Sequence, residues 1–125
     1  MILDTCALLW LAAGDPRLND STRKLIADSP SVGVSAISAF EIAQKSRKGH
    51  LVLPDPPSEW FRTITDHHQI DRLNLTAELC LCATELPEIH KDPFDRLIIA
   101  TALQLDRPVV TADTNFAKYG VGVLS

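Results

Sequence analysis

Short apolar runs alternate with segments of helical period from one end of the chain to the other. Met1-Ile2-Leu3 reads as a buried strand that Asp4-Thr5 ends. Ala7 to Ala12 reads as a helix, stopped by Gly14 and Asp15-Pro16. Asn19-Asp20-Ser21 offers caps for a helix over Thr22 to Ala27, which Ser29-Pro30 closes. Val32 to Ser35 is a second strand, and Ala36 to Lys48 a helix with Gly49 where a left-handed residue is wanted. Leu51-Val52-Leu53 leads into the rigid connector Pro54-Asp55-Pro56-Pro57, and Ser58 is placed to cap a helix through Trp60, Phe61 and Ile64. Ile70 to Leu75 alternates at period two, as a half-buried strand should. Thr76 caps a helix from Ala77 to Leu86, which Pro87 ends. Val109-Val110-Thr111, a short helix through Phe116 and a last strand at Val121 to Leu124 finish the chain.

Five strands alternating with helices, without repeats, predict an α/β fold around a mainly parallel five-stranded sheet with helices on its faces. The length of 125 residues suits one domain spanning 1–125. No apolar run is long enough for a membrane span, and no basic leader precedes the first strand. Cys6, Cys80 and Cys82 are odd in number and lie among apolar residues, which predicts reduced core thiols in a cytoplasmic protein. Cys80-x-Cys82 lacks the second ligand pair that a zinc site needs. A net charge of −4 argues against a strongly cationic nucleic-acid binder. It leaves room for a nuclease whose acids cluster at a metal.

The chemistry concentrates in His90-Lys91-Asp92-Pro93-Phe94-Asp95-Arg96, at the mouth of the apolar run Leu97 to Leu103. Asp92 suits an N-cap and Pro93 the first helical position. Asp95 then lies in the first turn, where the helix dipole favours an anion. The run beyond has too few polar positions for a surface helix and predicts one buried on most sides. Asp4 ends the first strand and Asp113 follows the fourth, so both belong at the carboxyl edge of the sheet. Asp95 opens a helix whose N-terminus lies at that edge, and Glu41 sits about one and a half turns into the helix after the second strand. Each acid has an ordinary role open to it: a cap for Asp4, Asp92 and Asp113, and an exposed i,i+4 pair with Lys45 for Glu41. Independent caps need not all fall on one edge, however. Carboxylates gathered there repel one another unless protonated or bound to cations, and hard divalent cations take oxygen ligands. Thr5 and Thr111 could supply supporting hydroxyls, and Arg96 could orient a carboxylate by bidentate bonding. Lys45, Lys48 and His90 are placed to touch a phosphate backbone. His67 and His68 are adjacent and expected on different helical faces in solvent. The helix Leu8-Leu9-Trp10-Leu11 carries more apolar surface than one sheet face covers, which suggests a groove or a dimer surface.

With these residues in place, the sequence resembles the PIN-domain ribonucleases of the VapC toxin family, from bacterial type II toxin–antitoxin systems. The matching stretches are Leu3-Asp4-Thr5, Ser38 to Ala43, Gly49 to Leu53, His90 to Ala102 and Val110 to Asp113, which together span nearly the whole chain. The resemblance implies a PIN-like three-layer fold and metal-coordinating acids at Asp4, Glu41, Asp95 and Asp113, with Asp92 a fifth candidate. It further implies Mg²⁺ or Mn²⁺, RNA cleavage, a homodimer and inhibition by a cognate VapB-type antitoxin. The alternative is a catalytically silent PIN-fold module that only binds RNA or an antitoxin. A haloacid-dehalogenase-like phosphatase fits poorly, because Cys6 stands where a second aspartate would be expected. A response-regulator receiver fits poorly too, because Leu75-Thr76 follows the third strand.

Overall fold

The computed structural model describes residues 1–125. Its elements are β1 (Ile2–Leu3), α1 (Thr5–Ala13), α2 (Asp20–Asp28), β2 (Gly33–Ser35), α3 (Ala36–Arg47), α4 (Pro57–His67), β3 (Asp71–Leu73), α5 (Ala77–Glu85), α6 (Pro93–Leu105), β4 (Val109–Val110) and β5 (Val123–Leu124). A 3₁₀ turn at Phe116–Tyr119 joins β4 to β5. The strands form one sheet in the order β3-β2-β1-β4-β5, and every neighbouring pair is parallel. Parallel neighbours need crossovers, and the helices supply them. The chain runs outward from β1 through β2 to β3, then returns to place β4 on the other side of β1. That reversal opens a crevice beyond the carboxyl ends of β1 and β4.

Alternation along the strands assigns each side chain to a layer. Leu3, Val34 and Val110 face one way and pack with Leu8, Ile42 and Trp60 from α1, α3 and α4. Ile2 and Val109 face the other way and pack with Ile98, Ile99 and Ala102 of α6 and with Phe116. Helix α5 covers the far side of α6, where Ala100 meets Leu79 and Ala83. The run Ile98 to Ala102 is therefore enclosed, as its lack of polar positions predicted. Asp92 caps α6 with Pro93 in its first turn, and Gly49 holds φ +75° just past α3. At Gly33 an added Cβ would lie 2.8 Å from Leu73 Cδ1, so the Leu73 side chain packs over the bare backbone of β2.

Four local expectations are corrected. The third strand is three residues long, and Asp71 and Arg72 are exposed, because it is an edge strand paired only to β2. Helix α4 starts at Pro57 with no side-chain cap, so Ser58 lies inside the first turn; the fixed φ of Pro57 suits that start. His67 and His68 do not lie on separate faces: α4 ends between them and their rings meet edge-on at 4.8 Å, with His68 half-buried. The thiols are free but are not core residues: Cys6 and Cys80 are exposed and Cys82 is half-buried. No helix is long and apolar enough to cross a membrane.

Candidate active site

Asp4 leaves β1 and caps α1: its Oδ1 accepts from the Ala7 amide at 2.7 Å, while its own amide donates to Val110 O. Its carboxyl is almost wholly buried. Helix α3 starts from the Ser35 cap and carries Glu41 back to the same edge, where it too is buried. Glu41 Oε2 accepts from Lys45 Nζ at 2.7 Å, but Oε1 is buried with no partner. The expected i,i+4 pair does form, yet it is a feature of the cleft and not of the solvent face. Asp92 Oδ1 accepts from the Phe94 amide, and Asp95 follows in the first turn of α6. Asp113 follows β4; its amide donates to Thr111 Oγ1, and its Oδ1 accepts from the Asn115 amide.

The five carboxylates line one cleft of about 190 Å³, together with Thr5, Cys6 and Lys45. Burial raises the Asp4 carboxyl; bonds from Thr111 and the Ala7 amide oppose the rise, and the charges of Glu41 and Asp113 add to it. Burial also pushes Asp95 up to about 7, with Asp92, Glu41 and Asp4 adding to it and His90 opposing. Burial acts upward on Asp113 as well, but the Asn115 amide, His90 and Lys118 outweigh it and its net shift is downward. The Glu41 bond holds the Lys45 ammonium above its ordinary range. Two bases, Lys45 and His90, are bonded within this group of acids. An orphaned buried carboxylate oxygen and a neighbour whose proton is held by burial and by the charges around it are what a hard divalent cation would relieve. The donor set fits such an ion.

Several supporting residues stand elsewhere than expected. Arg96 orients no carboxylate: its guanidinium bonds to the carbonyls of Ala83, Thr84, Leu86, Pro87 and His90. It is buried under the end of α5, where unpaired carbonyls need a donor more than the acids do. His90 does not face outward toward a phosphate: Nε2 lies 2.8 Å from Asp113 Oδ2 and 3.0 Å from Asp95 Oδ2. Thr111 bonds Asp4, whereas Thr5 bonds Ser38 at 2.9 Å. Lys48 is exposed at the end of α3, and among the two lysines only Lys45 lines the cleft. Sequence reasoning missed Tyr119, whose hydroxyl accepts from the Ile89 and His90 amides and donates to Pro87 O. No periodicity links a tyrosine to a loop some thirty residues earlier. Cys6 was also missed as a cleft residue, since apolar neighbours in sequence suggested a core thiol.

Fold and site define a parallel α/β protein with an acidic pocket at the switch point of its sheet. Residues 1–122 match the family model of the PIN domain, and the chain belongs to that family. Ribonuclease VapC22 of Mycobacterium tuberculosis (strain ATCC 25618 / H37Rv) is 30% identical over 120 residues, which cover 95% of this chain and 91% of that protein. The fold is similar to that of a chain in the crystal structure of VapBC2 from Rickettsia felis bound to a promoter DNA fragment, with TM-score 0.74, 15% identity and 98% and 96% of the two chains covered. A toxin–antitoxin complex from Klebsiella pneumoniae gives TM-score 0.69 at 22% identity, covering 99% and 95%.

Proposed function

We propose that this protein is a metal-dependent endoribonuclease that acts as the toxin of a VapBC-type toxin–antitoxin pair in the cytoplasm. The observation that carries the reading is the convergence of Asp4, Glu41, Asp95 and Asp113 on one cleft, with Glu41 Oε1 buried and unpartnered. The relationship to Ribonuclease VapC22 supports the reaction class. Asp4, Asp95 and Asp113 would hold Mg²⁺, with Mn²⁺ as a substitute, and Glu41 would complete the set. When bound, the ion supplies an activated water and neutralises charge on the reacting phosphodiester. Glu41, whose Oε1 has no partner in the fold, would bind the ion through a water or help take a proton from the attacking water. Lys45, held by Glu41, places a positive charge at the cleft wall where an RNA phosphate would approach. Asp92 caps α6 and adds negative charge at the rim. The silent-module alternative would sit best with a missing acid, and none is missing.

The antitoxin would seat on α1. Trp10 and Leu11 are half-buried, and a groove of about 450 Å³ runs between α1 and the Leu51–Pro54 connector, floored by Leu9, Trp10 and Trp60. Val52 stands 92% exposed on its rim. A homodimer is part of the same reading. The test is cleavage of pooled cellular RNA by purified antitoxin-free protein, with Mg²⁺ or Mn²⁺ and with EDTA. Discrete metal-dependent cuts should disappear in Asp4→Asn and Asp95→Asn proteins that remain folded, a loss of 10²-fold or more for removing charge from the site. Full activity in both variants would reject the assignment, and no cutting by the wild type would favour the silent module.

A further inference from the structure

His90 is anchored at the site through both its backbone and its ring. Its amide donates to the Tyr119 hydroxyl at 2.7 Å, its carbonyl accepts from Arg96, and its ring meets Phe116 edge-on. Ring nitrogen Nδ1 accepts from the Asp92 amide at 3.2 Å, which uses the Nδ1 lone pair. In the neutral ring the proton therefore sits on Nε2, where it bonds to Asp113 Oδ2 at 2.8 Å, and Asp95 Oδ2 lies 3.0 Å from the same nitrogen. A nitrogen that carries a proton is a donor and cannot ligate a cation. The ring is not part of the lining of the acidic cleft. Each carboxylate oxygen has a second lone pair, which leaves both groups able to face the cleft.

We propose that His90 is a positioning residue that holds Asp113 after β4 by its Nε2–H and sets Asp95 of α6 against the same nitrogen, presetting the spacing of the two acids for a divalent cation. The inference rests on the metal reading of the site. The two acids come from separate elements, so the contact brings together before binding what the ion would hold together afterwards. Tyr119 and Arg96 serve it by fixing the backbone on either side of the ring. Partners that orient metal-binding groups in this way usually contribute about 10–100-fold to affinity.

The experiment is calorimetric titration of the metal-free protein with Mn²⁺, comparing wild type, His90→Ala, His90→Gln and Asp95→Asn. Thermal melting in EDTA confirms that each is folded. His90→Ala should bind Mn²⁺ about tenfold or more weakly. His90→Gln, whose amide N–H can reach the same oxygens, should recover most of the loss. In metal-free wild type at mildly alkaline pH, long-range ¹H–¹⁵N spectra of the imidazole should show Nε2 protonated and Nδ1 not. Wild-type affinity in a folded His90→Ala protein, with binding lost in Asp95→Asn, would overturn the tie while sparing the metal reading. A protonated Nδ1 with bare Nε2 would overturn it as well. Absence of Mn²⁺ binding by wild type would overturn both.

Discussion

Asp95 shows how a single side chain can be costly to the fold and useful to the site. Its carboxyl is pushed up to about 7 by burial and by the acids around it, against 3.8 for the free group. The metal-free native state therefore keeps a proton that the unfolded chain releases from about pH 4 upward. Stability from this group is greatest below the unfolded value and falls as pH rises toward about 7, where the native group has ionised too. Asp4, also raised, acts in the same direction, whereas lowered Asp113 contributes stability that is lost only in acid. Urea denaturation in EDTA should thus show stability declining between mildly acidic and neutral pH, and Mn²⁺ at neutral pH should restore it. Asp95→Asn, which removes the charge but keeps an acceptor for His90, should stabilise the metal-free protein at neutral pH by about 1 kcal/mol or more, while abolishing cleavage. A variant no more stable than wild type in EDTA would contradict this account of the cluster. At this scale the acids were legible in sequence, because Asp4 and Asp113 sit just past strand ends, Asp92 and Asp95 at a helix start, and Glu41 within two turns of one. The inward turn of His90 was not, since it depends on Tyr119 and Phe116, which arrive from a distant turn.

Helix α6 is the element through which the cleft is tied to the core. Its first turn carries the acids, its middle is enclosed, and Arg96 between them binds the end of α5 and the Pro87–His90 loop. An arginine next to an aspartate of the cleft invites a carboxylate-orienting role, and its neighbours in sequence offered no means of choosing otherwise. The choice is made by supply: several carbonyls at the end of α5 would be left without donors in a buried setting. Arg96→Met keeps the apolar stem and removes the bonds. It should lower stability by about 3 kcal/mol in urea denaturation, the cost of leaving buried carbonyls unpaired. A loss below about 0.5 kcal/mol would place Arg96 among ordinary surface positions, where such small effects prevail. Boundaries elsewhere were less legible. Period-two alternation from Ile70 to Leu75 suggested a half-buried strand, but β3 has only one strand neighbour and stops at Leu73.

For the whole molecule, the order β3-β2-β1-β4-β5 puts the acid cleft at the reversal beside β1. The apolar groove lies on the helical layer that contains α1. Because Trp10 lines both the groove and the cleft, an antitoxin seated on α1 would also stand beside the acids. Val52→Glu places a charge at the exposed rim, remote from the core. It should weaken the toxin–antitoxin complex by about 10-fold or more, roughly the cost of an unpaired charge at an interface, while leaving RNA cleavage by the free protein unchanged. Binding measured with the cognate VapB-type antitoxin checks this, and unaltered affinity would move the interface off this groove.

The α/β alternation, the buried character of α6, its Asp-Pro start and the presence of a full acid set were determined by sequence alone. Each follows from local chemistry: residue period, capping and the dihedral habits of proline and glycine. What Arg96 and His90 bond to, the exposure of Cys6 and the burial of Glu41 were decided only by tertiary structure. Those outcomes depend on which distant groups reach the same place, and on which of them would otherwise be buried without a partner.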